Sequence, residues 1–213
     1  MRSCVDFGSR EAALAIRCSM SSKTLEFYER HAERYAMFRS KPSSRLLTFL
    51  GKCKPEGDIL ELGAGAGVEA AEILSQGFKL YATDGSVELA KIASTRIGQT
   101  VRVMRFMELS AVQAYDGVYA NASLTHAPRS ELPIIFSKVY ASLKVGGVFW
   151  ASFKAGCRED NDRYGRHYNF IGHERLASYM TAAAPWAAVE LESWLGTGYD
   201  QRQTHWVAVT AVR

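Results

Sequence analysis

Along this chain, short apolar runs alternate with stretches in which apolar side chains recur every third or fourth position. Phe27, Tyr28, His31 and Tyr35 have the second spacing and predict a helix from a cap at Ser22 to about Tyr35. Pro42 and Ser43 open another helix, with Leu46, Leu47 and Leu50 on its apolar face, and Gly51 and residues 55–57 stop it. Short runs at 58–62, 78–83, 101–106, 115–121 and 148–153 predict five strands. Helical patterns at 68–76, 86–93 and 130–143 lie between them; Gly77 ends the first and Val145-Gly146-Gly147 follows the last. This alternation predicts a mostly parallel sheet with helices on both faces.

The last third breaks the pattern. Residues 156–168 are polar, and the stretch 156–170 reads as a loop or lid. A helix at 174–184 follows, then runs at 189–195 and 204–211 spaced like an antiparallel pair of strands. Residues 1–22 mix Arg2, Arg10 and Arg17 with alanines, Asp6 and Glu11, without an apolar secretory core; they read as a flexible leader before a single domain at 23–213.

The 213 residues are 47% hydrophobic and 23% charged, which suits one folded domain and excludes disorder or a coiled coil as the overall form. The formal charge of +4, from 26 basic and 22 acidic side chains, is scattered; without a basic stripe the chain has no nucleic-acid footprint, and the excess leans only mildly toward anionic partners. Cys4, Cys18, Cys53 and Cys157 form no close pair, so neither a metal site nor a disulfide framework is expected, and a reducing, cytoplasmic setting fits. No apolar run approaches the roughly 18 residues of a membrane span. Nothing in the pattern specifies an oligomeric state.

The sharpest chemical signal is Glu61-Leu62-Gly63-Ala64-Gly65-Ala66-Gly67, which follows a predicted strand and opens a helix. Glycines at 63, 65 and 67 let the backbone turn tightly and approach a ligand closely. Asp84 lies 23 residues beyond Glu61, at the end of the second strand, where a carboxylate can accept from two ribose hydroxyls. The glycine spacing is not the Gly-x-Gly-x-x-Gly of a dinucleotide site, and Glu61 would repel a pyrophosphate while suiting a sulfonium or amino group.

These residues, with Asp116 and the stretch AYDGVYANASLTHAPRSELPIIFSKVYASLKVGGVFWASFK, resemble the class I S-adenosylmethionine-dependent methyltransferases of the small-molecule type, over most of residues 24–154. The resemblance implies a Rossmann-like three-layer α/β fold with a seven-stranded, mostly parallel sheet whose last strand is antiparallel. It also implies S-adenosylmethionine as cofactor. Gly63, Ala64 and Gly65 would line its methionine part, Gly67 would belong to the same cofactor-binding turn, and Glu61 would organise the turn or contact the cofactor's amino group through water. Asp84 would hold the ribose, and Gly85 and Ser86 would approach the adenosine. Met107, Glu108 and Leu109 stand where the family contacts adenine, although the family often has an aspartate at the place of Met107. Asn121 would lie near the cofactor, and Tyr28 and Tyr35 would cover it and shape the acceptor pocket.

Methyl transfer is an in-line displacement in which the protein positions and desolvates the acceptor and, for a hydroxyl, helps remove a proton. His126, just after the fourth strand, is the candidate base. Arg158, Arg163, Arg166 and Tyr168 form a basic, aromatic cluster suited to a small anionic acceptor, with Tyr35 beside it. Two other readings compete: a nicotinamide-dependent oxidoreductase, against which the glycine spacing speaks, and a non-catalytic protein that keeps the fold for cofactor binding or interaction.

Overall fold

The structure, a computed structural model, describes residues 22–38 and 40–213; apart from Ser22, the leader lies outside the described residues. Helix α1 (Ser22–Phe38) runs past Tyr35 and breaks its helical geometry at His31, and α2 (Ser44–Leu50) is capped by the Ser43 hydroxyl, which accepts from the Arg45 amide. Then follow β1 (Asp58–Leu62), α3 (Val68–Ser75), β2 (Lys79–Asp84), α4 (Val87–Ile97), β3 (Arg102–Val103), β4 (Tyr115–Ala120), α5 (Leu132–Ser142) and β5 (Leu143–Lys154). The chain ends with β6 (Glu159–Asn161), β7 (His167–Asn169), α6 (His173–Ala183), β8 (Ala188–Thr197) and β9 (Gln203–Val212).

Seven strands form one sheet in the order β3-β2-β1-β4-β5-β9-β8. The first five strands are parallel, and β9, the last in the chain, runs antiparallel to both β5 and β8. The expected Rossmann-like sheet, last strand reversed, is the one observed.

Alternation along the strands sends side chains into two cores. Leu60, Val118, Phe149 and Val209 join one core with Phe136 and Val139 of α5 and Leu176 and Met180 of α6. Ile59, Tyr119, Trp150 and Ala208 join the other, with Leu46 and Phe49 of α2, Ile73 of α3 and Ala93 of α4. Helix α1 docks through a carboxylate: Glu29 accepts from the Val87 and Glu88 amides at 2.7 and 3.2 Å, filling the positive N-terminus of α4. At the opposite end of the sheet, Lys144 donates to both Asp58 and Asp116 at 2.7 Å. Asp116 therefore closes the far end of β1 and β4, away from the glycine turn.

The structure moves several predicted boundaries. β3 is only two residues long because the chain leaves the sheet after Met104 and closes a 3-10 turn at Phe106–Glu108, where the Glu108 carboxylate accepts from the Arg105 amide. Leu47 faces solvent; the buried stripe of α2 is Leu46, Phe49 and Leu50, the helical i, i+3, i+4 set. α5 begins at Leu132, after a 3-10 turn at Arg129–Glu131, with Pro133 in its first turn, where a missing amide hydrogen costs nothing. The polar stretch read as a loop or lid contains a two-stranded antiparallel ribbon, β6 against β7. Arg129 holds the ribbon's base, donating to the Cys157 and Phe170 carbonyls and the Asn169 side chain.

Gly117 in β4 leaves no room above it: a Cβ there would lie 2.8 Å from Cys53 Sγ, Ile59 Cδ1 and Phe49 Cζ. Gly117→Ala should lose about 1–3 kcal/mol of stability by overpacking the seat of α2, read as a lower urea midpoint at unchanged m-value. An unchanged midpoint would show that α2 is not seated as described.

Candidate functional site

The site lies at the carboxyl ends of β1, β2, β4 and β5, where open parallel sheets bind ligands. After β1 the chain reverses on glycines: Gly63 and Ala64 donate from their amides to the Thr83 carbonyl of β2 at 2.9 and 2.8 Å. Gly63 and Gly65 have φ of +82° and +55°, values that L side chains rarely adopt. A Cβ on Gly63 would meet Ser123 Cβ, and one on Gly65 would press on the Tyr35 ring at 3.3 Å. Gly67 caps α3 against Ala93 of α4, and Ala64 turns into the core.

Asp84 ties this turn to the next one. Its Oδ2 accepts from the Gly65 amide and its Oδ1 from the Ser86 amide, both at 2.8 Å. Burial pushes its carboxyl up to about 6, against the pull of those amides. Ser86 itself caps α4. Gly63, Gly65, Asp84, Gly85, Ser86 and Asn121 share one chamber, closed by Leu25 and Tyr28 of α1 and by Phe106. Asn121 is fixed from both ends, donating to Glu69 and accepting from Ser152, each at 2.9 Å. Glu61 is buried beneath the turn, and its carbonyl accepts from the Thr83 hydroxyl at 2.8 Å.

A second chamber adjoins the first. Tyr28, Tyr35, Ala122 and His126 line both; Phe38, Lys154, Arg166, Tyr168, Tyr199 and Trp206 line the second alone. The shared wall rests on a hydrogen-bonded chain. His126 Nδ1 lies 2.6 Å from the His167 carbonyl, which can only accept, so Nδ1 carries the proton and Nε2 accepts from the Tyr28 hydroxyl at 2.9 Å. Arg166 donates to that same hydroxyl at 3.1 Å and grips the Asp162 carboxylate through Nε and Nη2 at 2.9 and 2.6 Å. The guanidinium also lies within 6 Å of the ring centroids of Phe27, Tyr28, Tyr164, Tyr168 and Tyr199. Burial, helped by the Arg166 charge, pushes the His126 imidazole down to about 3, and burial holds the Tyr28 phenol well above its ordinary range.

The predicted residues are divided by this geometry. Tyr28, Tyr35, Gly63, Gly65, Asp84, Gly85, Ser86, Asn121 and His126 line the first chamber, and Arg166 and Tyr168 the second. Met107 packs against the core, Leu109 is buried in it, and Glu108 is the cap of its own turn. Phe106 takes the wall position instead. Arg158 and Arg163 are exposed: one pairs with Asp160, the other donates to the Asp200 carbonyl. The reading missed Phe106 and Lys154. The end of an apolar strand at the ligand side was the available signal for Lys154.

Residues 27–187 match the family described as Methyltransferase domain. No curated protein matches the chain. Among solved structures, the 1,6-didemethyltoxoflavin-N1-methyltransferase of Burkholderia thailandensis, with its substrate and S-adenosylhomocysteine bound, is similar at 23% identity and TM-score 0.63, over 87% of this chain and 79% of that one. Phosphoethanolamine N-methyltransferase 2 of Haemonchus contortus, in complex with S-adenosyl-L-methionine, aligns at 15% identity and TM-score 0.72, over 91% of this chain and 60% of that one. The N-methyltransferase NodS of Bradyrhizobium japonicum, with S-adenosylhomocysteine, aligns at 15% identity and TM-score 0.65, over 87% and 97%. At these identities the likeness is one of fold.

The buried chain sets the protonation of His126. With its folded value near 3 and an unfolded value of about 6.5, the unfolded state takes up a proton that the folded state refuses, so this group withdraws stability as pH falls through that window, by about 1.4 kcal/mol per unit. In an NMR titration from about pH 8 to about pH 5, the His126 ring should keep the shifts of the neutral Nδ1–H tautomer. A midpoint near 6.5 would contradict the hydrogen-bonded chain.

Proposed function

This chain belongs to the methyltransferase-domain family, and from that premise we propose that it transfers a methyl group from S-adenosylmethionine to a small, anionic acceptor. The observation that carries this reading is the pair of chambers sharing the wall of Tyr28, Tyr35, Ala122 and His126, because in-line transfer needs donor and acceptor on either side of one opening.

The first chamber suits the cofactor. Its floor is a backbone turn without side chains at Gly63 and Gly65, and its rim carries the Asp84 carboxylate, whose oxygens each keep a lone pair beyond the amide they already accept. In this reading Asp84 takes the ribose hydroxyls, Gly85 and Ser86 lie along the adenosine, and Phe106 packs on the base. Asn121, held by Glu69 and Ser152, faces the remaining polar end. When bound, S-adenosylmethionine supplies an electrophilic methyl group and a neutral thioether as leaving group.

The other residues position and exclude. Tyr28 and Tyr35 meet edge to face at 5.2 Å and keep water from the opening. Both ring nitrogens of His126 are engaged, so we assign it to holding the Tyr28 hydroxyl rather than to taking the acceptor's proton. Lys41, Lys154 and Arg166 on the second chamber support an anionic acceptor.

Calorimetric titration with S-adenosylmethionine and S-adenosylhomocysteine should give saturable, stoichiometric binding that Asp84→Ala abolishes. Binding needs the carboxylate as acceptor, and burial pushes Asp84 up to about 6, so affinity should fall as pH drops through that value, by up to about tenfold per unit. Full affinity in folded Asp84→Ala, or no binding by the folded wild type, would overturn the proposal.

A further inference from the structure

Lys154 ends β5 with its side chain only 6% exposed. It lines the second chamber and not the first, so it faces the part of an acceptor remote from the shared wall. Its ammonium sits 4.4 Å from the centroid of the Tyr168 ring, and its nearest carboxylate oxygen, Asp200 Oδ2, is 3.7 Å away, beyond hydrogen-bond length. The other Asp200 oxygen is buried without a hydrogen-bond partner among the described residues. Gly198 opposes the pair: a Cβ there would come within 3.3 Å of Lys154 Nζ and 3.2 Å of Asp200 Oδ1. Burial holds the Lys154 ammonium below the ordinary lysine range, with Asp200 pulling the other way. This is a buried cation whose compensation is incomplete.

The other basic groups cannot take its place. Arg166 commits Nε, Nη1 and Nη2 to Asp162 and Tyr28 and lies against five rings. Arg158 and Arg163 lie in solvent, and Lys41 is exposed, where water screens its charge. Around Lys154 the chamber is lined by the aromatic side chains of Tyr168, Tyr199 and Trp206.

Resting on the methyl-transfer reading above, we propose that Lys154 anchors the acceptor: its ammonium pairs with a carboxylate on a planar acceptor held among these rings, and so turns the reacting atom toward the opening at Tyr28. A buried, partly compensated lysine gains more from an anion than an exposed one does, and a planar body suits aromatic walls. Lys154 is thereby a specificity-determining residue, selecting acceptors by charge.

The test uses the full chain saturated with S-adenosylhomocysteine, titrated with benzoate and with its neutral isostere benzamide. Benzoate should bind saturably to the wild type and at least about tenfold more weakly to Lys154→Met, with partial recovery in Lys154→Arg; benzamide should bind weakly and alike to all three. Equal benzoate affinity in Lys154→Met, benzamide matching benzoate in the wild type, or no saturable benzoate binding would each overturn the proposal. Binding of S-adenosylhomocysteine by each variant shows that the fold and the first chamber are intact. Its failure in the wild type sinks the methyl-transfer reading itself, whereas its survival with lost charge selectivity sinks only the role of Lys154.

Discussion

A guanidinium taken almost wholly out of water holds this site together. Arg166 is 1% exposed, and stripping such a charge of water costs several kcal/mol unless its donors are met. Here they are met by Asp162, four residues back on the same ribbon, and by the Tyr28 hydroxyl of α1, while aromatic faces from α1, the ribbon and the β8–β9 turn cover the rest. Hydrogen bonds to a planar fork are directional, so they fix α1 against the ribbon, two elements that the sheet itself does not align. The His167 carbonyl, which can only accept, sets the tautomer of His126, so Nε2 takes the proton of the Tyr28 hydroxyl in a hydrogen bond while that oxygen accepts from Arg166. The wall between the chambers is thus built on one buried ion and its partners.

The sheet constrains the other side of the site differently. Its parallel strands deliver the turns after β1, β2 and β4 to one edge, and Asp84 joins two of them through opposed backbone amides. A carboxylate already used to hold a loop keeps a lone pair on each oxygen, so under the proposed function the same group would serve rigidity and recognition. Burial raises that carboxylate's affinity for a proton, which couples this chamber to pH.

Most of the fold was legible in the sequence because periodicity and glycines record local geometry. The strands from Asp58 to Phe153 and the closing antiparallel pair are the elements that the hydrophobic period predicts. The misread boundaries have a common origin in contacts distant in sequence or in caps. β3 ends early because the Glu108 side chain folds back on Arg105, and Leu47 faces water because α2 meets the sheet through Phe49. The ribbon at 159–169 is polar because its core is the Arg166 cage, which hydrophobic patterning cannot register. The first chamber could be read from residues next to the glycine motif. The second was legible only through Tyr35, Arg166 and Tyr168, since Phe38 and Lys154 come from separate segments that carry no motif. Lys154 passes in sequence for the polar end of a strand.

The most direct measurement is a crystal structure of the protein with S-adenosylhomocysteine. The account predicts the ribose on Asp84, the base against Phe106, and the thioether sulfur facing the opening between Tyr28, Ala122 and His126, with the second chamber beyond it. A ligand lying elsewhere, or one in the first chamber whose sulfur points away from that wall, would contradict the division of the site into donor and acceptor chambers.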